Sequence, residues 1–217
     1  VTYQDKTFSV AIETAAGKKE TVEADELLVA LGITPNSDNL GLEQTAIKTN
    51  SSGFIEVDKF LQTTVPGVYA IGDVAGNFLF RHSVNFEAEY WIDANYLSDK
   101  VYPLDYPPMP SAVFTHPEIA AVGLTEERAK SAGIEYIVGK ASYQSCAMAK
   151  ARELEQGFVK LIFDKKNTEL IGAHIIGEEA STMFQELVLA CTTKLTAQQI
   201  YRQIYIHPAF PEVIRNA

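Results

Sequence analysis

The hydrophobic and polar positions fall into two textures. In the first, residues 7–14 (TFSVAIET) and 20–31 (ETVEADELLVAL) read as strands around a turn at Gly17-Lys18-Lys19. LLVALG, residues 27–32, is continuously apolar, the pattern of a strand buried on both faces. ITPNSDNLGLE is loop. GFIEVD predicts a short strand from Gly53, and VPGVYAIGDV a second buried strand over Val68–Ile71. The spacing predicts a helix over 83–98, SVNFEAEYWIDANYLS.

VYPLDYPPMP then places four prolines in ten residues, the strongest linker signal in the chain. Beyond it SAVFT, AAVGLT, YIVGKAS, FVKLIFD and LIGAHIIG are strand-like, and KKNTE turns the last pair into a hairpin. TEERAKSAG predicts a helix with Thr125 as N-cap, Glu126 and Glu127 in the first turn, and Gly133 at the stop. A longer helix is expected over 178–194, where Ala180, Met183, Phe184, Leu187, Val188 and Cys191 keep helical spacing. TAQQIYRQI is a last short helix. The expected fold is α/β followed by α+β, the second part an antiparallel sheet with helices on one side.

At 217 residues and 47% hydrophobic content, the chain can bury a sizeable core. It contains no apolar run of membrane-spanning length. A formal net charge of −10 disfavours nucleic acid and anionic membrane surfaces as partners, since both need a basic footprint. The first residues, VTYQDKTFSV, lack a signal pattern and begin inside a strand-like alternation, as expected of a piece of a longer chain. Cys146 and Cys191 are 45 positions apart, without metal-ligand spacing. Cys191, in LVLACTT, reads as packing, and Cys146, in the polar stretch YQSCAMAK, as an exposed loop residue. Two thiols without a disulfide framework point to a reducing, cytoplasmic setting. His82, His116 and His174 are scattered, so no metal site is expected. No GxSxG, GxGxxG or GxxxxGK motif is present.

Two stretches carry candidate chemistry. In VYAIGDV, Gly72 permits close approach of the backbone to a ligand, and Asp73 can accept from hydroxyls at a strand's end. The plain alternative is an aspartate capping a helix. In IYIHPAFPEVI, residues 204–214, Pro208 and Pro211 stiffen the path from His207 to Glu212. A glutamate accepting from one imidazole nitrogen fixes the tautomer and makes the other nitrogen a better base. The plain alternative is a surface histidine before a short terminal helix.

LLVALGITPN, TTVPGVYAIGDV, PSAVFTHPEIAAVG, GFVKLIFD…LIGAHIIG and IYIHPAFPEVI occur in this order. Together they resemble the C-terminal half of the pyridine nucleotide–disulfide oxidoreductases, nearest the dihydrolipoamide dehydrogenase branch. The resemblance implies the end of an NAD domain over 1–31, a central FAD-contacting segment over 32–106 and an interface domain over 107–217. The family's dinucleotide fingerprints and redox-active CxxxxC pair would lie upstream, so the chain alone is expected to bind neither FAD nor NAD and to be inactive. By position, Asp73 matches the family's ligand of the FAD ribityl chain, beside Gly72. Leu79, Phe80, Arg81 and His82 match a stretch that contacts flavin, although the chain reads Arg81-His82-Ser83-Val84 where the family usually has Ala-His-Lys-Ala. Gly32 matches a glycine near the nicotinamide. His207 and Glu212 match a base dyad that the family supplies to the partner subunit's active site, where it takes a thiol proton. The implied protein is a homodimer passing electrons between a dithiol/disulfide, FAD and NAD, with lipoyl-bearing proteins of 2-oxo acid dehydrogenase complexes as partners. The alternative is the dimerisation module of a related flavoprotein disulfide reductase.

Overall fold

A computed structural model describes residues 1–217, which divide into two units, Val1–Tyr102 and Pro103–Ala217. In the first unit, β1 (Thr2–Gln4), β2 (Thr7–Glu13) and β3 (Lys19–Ala24) form an antiparallel sheet in that order, with Val10 opposite Val22. The reversal between β2 and β3 closes where Gly17 N–H donates to the Thr14 carbonyl at 2.8 Å, with Gly17 at φ 75°.

The strand expected to run to residue 31 stops at Ala24. LLVALG is not a buried strand: Leu28 is 91% and Leu31 96% exposed. A strand persists only where a neighbour takes its N–H and C=O groups, and no segment of the chain pairs with this one.

The strands expected from Gly53 and over Val68–Ile71 are likewise replaced. They survive as single bridges, Thr49–Ile55, Val57–Thr63 and Gln62–Tyr69. Side-chain-capped turns break the run: Asn50 Oδ1 accepts from Ser52 and Phe54 N–H, and Asp58 Oδ1 from Phe60 and Gln62 N–H. Ile55, Ala70 and Ala75 form a small core between these turns, while Val68 is exposed. The predicted helix is present as α1 (Arg81–Ile92), starting two residues early and widening into a π-turn over Asp93–Leu97.

The second unit follows its sequence pattern closely. Its elements are β4 (Ser111–Val113), β5 (Glu118–Gly123), α2 (Glu126–Ser131), β6 (Tyr136–Ser142), α3 (Ala147–Ala151), β7 (Phe158–Asp164), β8 (Leu170–Gly177), α4 (Ala180–Met183), α5 (Gln185–Thr192), α6 (Ala197–Tyr201) and α7 (Glu212–Asn216). The five strands are antiparallel in the order β4-β5-β8-β7-β6. Thr125 caps α2 by accepting from Arg128 N–H at 3.2 Å. The helix expected over 178–194 is divided at Phe184 into α4 and α5. Val159, Leu161, Ala173 and Ile175 of the sheet meet Leu187, Ala190, Val213 and Ile214 in one core.

Cys146 is not an exposed loop residue; it is 1% exposed, within the same core. YQSCAMAK forms a helical turn and then α3, and Tyr143, Cys146 and Ala149 share the inward face at three-residue spacing. The polar residues between them masked that face in the sequence. Cys191 is buried, as its pattern predicts. No helix is long and apolar enough to cross a membrane.

Candidate functional site

The tail is fastened before it reaches its polar end. Phe210, Val213 and Ile214 are all buried, and Asn216 Nδ2 donates to the Ser145 carbonyl at 3.2 Å. These anchors leave His207 and Glu212 on one side of the loop. His207 Nδ1 donates to Glu212 Oε1 at 2.8 Å, and Ala209 N–H donates to Glu212 Oε2 at 3.1 Å. The carboxylate is thus held by two donors, and the imidazole by the carboxylate. The side chain of His207 is 67% exposed and that of Glu212 20%, so the carboxylate is sheltered while the ring faces solvent. The hydrogen bond from His207, then that from Ala209, holds the Glu212 carboxyl below the ordinary glutamate range. With Nδ1 committed, Nε2 is the nitrogen able to exchange a proton with a bound molecule. The two side chains that the sequence singles out are thus in hydrogen-bond contact.

The other histidines do other work. His174 Nε2 lies 3.0 Å from the Leu124 carbonyl, and burial lowers its pKa. His116 Nδ1 lies 3.9 Å from Glu178 Oε2. No group of three His, Cys, Asp or Glu side chains is placed to hold a metal ion.

In the first unit, Gly72 and Asp73 sit on a helical turn over Gly72–Val74 packed on α1. Gly72 has φ 72°, and a Cβ there would stand 2.8 Å from Val84 Cγ2, so the turn needs glycine on both counts. Gly72 N–H donates to Glu87 Oε2 at 2.6 Å, and Asn77 Nδ2 donates to Glu87 Oε1 at 3.4 Å. Glu87 is fully buried. Sequence reasoning missed it because a glutamate between Phe86 and Ala88 on a helix reads as solvent-facing; its spacing from Ser83 and Tyr90, also buried, was the available signal.

The turn leaves the Asp73 carboxylate exposed and without a hydrogen-bond partner in the chain. Leu79, Arg81 and His82 at the start of α1 are exposed too, and the His82 ring stacks on Phe80 with centroids 4.9 Å apart. An exposed carboxylate of this kind can accept from hydroxyls. Gly32 stands in the exposed segment after β3 at φ 122°, with no atom within 4 Å of where a Cβ would lie.

Known proteins carry the same two parts in the same order. Residues 109–217 match the family described as pyridine nucleotide-disulphide oxidoreductase, dimerisation domain, and residues 1–93 match pyridine nucleotide-disulphide oxidoreductase. The dihydrolipoyl dehydrogenase of Rhizobium etli is 36% identical over 206 residues, 95% of this chain and 43% of that protein. The mitochondrial dihydrolipoyl dehydrogenase of Canis lupus familiaris is 37% identical over 214 residues, 98% of this chain and 42% of that protein. Among solved structures, LpdA from Mycobacterium tuberculosis superposes with a TM-score of 0.84 at 25% identity, over 95% of this chain and 44% of its own. The HOCl-induced flavoprotein disulfide reductase RclA from Escherichia coli superposes at 0.85 and 26% identity, over 94% of this chain and 46% of its own. The chain belongs to the pyridine nucleotide-disulphide oxidoreductase family. It spans less than half the length of the relatives it matches.

Proposed function

We propose that this chain is the C-terminal part of a dihydrolipoamide dehydrogenase-like flavoprotein, and that His207 and Glu212 are the base pair it contributes to the active site of a partner subunit. The observation that carries this reading is the 2.8 Å contact between His207 Nδ1 and Glu212 Oε1 on an otherwise anchored loop. His207 Nε2 takes the proton of a dihydrolipoamide thiol. The thiolate formed is the species that attacks a disulfide, with the disulfide's other sulfur leaving as a thiolate. Glu212 stabilises the imidazolium that results and keeps the ring from turning.

FAD, when bound to the complete protein, would supply the electron-relay chemistry between dithiol and NAD. Asp73 would accept from its hydroxyls on the turn that Gly72 makes possible, with Leu79, Phe80, Arg81 and His82 beside it and Gly32 towards the nicotinamide. Residues 1–31, 32–106 and 107–217 are the corresponding pieces of the NAD, central and interface domains. The whole protein is a cytoplasmic homodimer that serves lipoyl-bearing proteins of 2-oxo acid dehydrogenase complexes. The chain by itself binds neither cofactor tightly: one charge-assisted hydrogen bond contributes about 1.5–3 kcal/mol, well short of micromolar affinity.

The test is an assay of the complete flavin-loaded protein with dihydrolipoamide and NAD. Dihydrolipoamide-dependent NAD reduction is expected. Reduction of glutathione disulfide without activity on lipoamide would select the alternative, a related disulfide reductase whose dimerisation unit this is.

A further inference from the structure

The loop between His207 and Glu212 turns one aromatic ring inward. Phe210, 4% exposed, stacks on Tyr143 with centroids 5.5 Å apart and planes 29° apart. The guanidinium of Arg152 lies over the same ring, 5.3 Å from its centroid. Neither neighbour is free to drift. Tyr143 is fully buried, its hydroxyl donates to the Glu178 carbonyl at 2.9 Å, and burial holds the phenol far above its ordinary pKa so that it stays a donor. A Cβ on Gly177 would stand 2.3 Å from Tyr143 Cζ, and one on Gly157 2.9 Å from Tyr143 Cγ, so the ring fits only because both positions are glycine. Arg152 is tied at 3.0 Å to Glu178 and 2.7 Å to Glu179. The Cys146 thiol, 3.5 Å from the Ala209 carbonyl, adds a contact to the loop itself.

We propose that Phe210, fixed by Tyr143 and Arg152, is a positioning residue that sets the separation of His207 and Glu212. The chain of contact is short. Phe210 follows Ala209, whose N–H holds one oxygen of Glu212, and precedes Pro211, from which α7 starts with Glu212 as its first residue. Both links end at Glu212, so a shift of the ring moves the carboxylate relative to His207. This inference rests on His207 being the base only for its catalytic consequence, because the geometry it explains is independent of the reaction.

Two readouts test it. The first is the titration of the Glu212 carboxyl, followed by carbon-13 NMR in this chain. Phe210→Leu keeps the apolar bulk but loses the plane on which Tyr143 and Arg152 stack. The Glu212 pKa should rise towards the ordinary glutamate value in Phe210→Leu and, with the core untouched, in Arg152→Met. The second is a double-mutant cycle in the complete enzyme. Phe210→Leu should lower dihydrolipoamide turnover about tenfold, as small misplacements of a reacting group do. In a Glu212→Gln background it should cost almost nothing further, because the geometry it protects is already lost.

An unmoved Glu212 titration in both variants, or losses that multiply in the double mutant, would overturn the proposal. If Glu212 titrates as expected while dihydrolipoamide turnover is unchanged, positioning stands and the base assignment falls. If neither changes, positioning itself is wrong.

Discussion

Glu87 reaches fifteen residues back from α1 to accept the N–H of Gly72 at 2.6 Å. That bond fixes the turn presenting Asp73, since Gly72 has no side chain to hold it and its φ of 72° is available to few other residues. The fully buried Glu87 side chain thus sets the local shape of the turn that presents Asp73.

Glu87→Ala should therefore destabilise the first unit by about 1–3 kcal/mol, the range for leaving a buried donor without its acceptor. Glu87→Gln keeps an acceptor for Gly72 and should lose less. Urea unfolding of the two variants measures both. Equal losses would mean that an amide oxygen of the same size and position does not replace the carboxyl oxygen as the acceptor for Gly72.

A second prediction concerns acid. Glu118 Oε2 accepts from Ser181 N–H at 2.9 Å and from the Ser181 hydroxyl at 2.7 Å, tying β5 to the start of α4. The backbone bond first, and the hydroxyl second, hold its carboxyl below the ordinary value of 4.5. A folded-state pKa lower than the unfolded one contributes stability that is present above the unfolded value and is lost as pH falls through the folded one. The second unit should weaken as pH drops below about 4.5, and Glu118→Gln should flatten that slope while lowering stability at neutral pH. Unfolding midpoints across this range would show the difference; parallel curves for the two proteins would contradict it.

Glu186 works in the opposite direction. Its Oε1 is buried without a hydrogen-bond partner, and burial raises its pKa. A carboxyl with a raised folded pKa favours the fold most below its unfolded value and disfavours it as pH rises through the folded one. Glu186→Gln should raise the thermal midpoint at neutral pH and leave it nearly unchanged at about pH 3, well below the ordinary value of 4.5, where the glutamate is neutral in both states. A lower midpoint at neutral pH would show that the ionised carboxylate has a stabilising partner.

The tail also leaves apolar surface in water: Ile204 is 100% exposed and Ile206 78%, with Leu189 of α5 at 59%. Burial of such surface against a second copy is the expected remedy for a dimerisation domain. Light scattering at micromolar concentration should give about twice the 23.9 kDa chain mass, and Ile204→Asp with Ile206→Asp should halve it. A monomer mass for the unmodified chain across that range would contradict it.

The legibility of the sequence followed its local physics. The strands of the second unit alternate side to side and bury one row against helices, so periodicity found them even where, as with β5 and β8, partners lie far apart in sequence. LLVALG and VYAIGDV carry the strongest apolar runs in the first unit, yet neither forms a ladder, because a run signals burial and not a hydrogen-bonding neighbour. Cys146 and Glu87 were misread or missed for a shared reason: each is embedded in polar or mixed sequence while its own side chain points inward. His207 and Glu212 stood out in the sequence as a pair on a proline-stiffened path, but the residues alone left a plain surface histidine open, and the base-dyad role came from the family resemblance. What the sequence did not reveal is the aromatic support under that loop, since Tyr143 and Phe210 are 67 positions apart and meet only in the fold.

The base assignment is tested most directly by His207→Gln in the complete enzyme, comparing dihydrolipoamide turnover with transfer of electrons from the reduced flavin to a quinone. Glutamine can still hydrogen-bond to Glu212, so fold and dimer should persist. Proton transfer by a placed side chain is worth about 10²–10⁴-fold, and dihydrolipoamide turnover should fall by that factor. Quinone reduction needs no thiol deprotonation and should be retained, as it should in Glu212→Gln, whose lipoamide loss should be smaller. A collapse of the lipoamide-to-quinone ratio is the predicted result, and a parallel fall of both activities would contradict it.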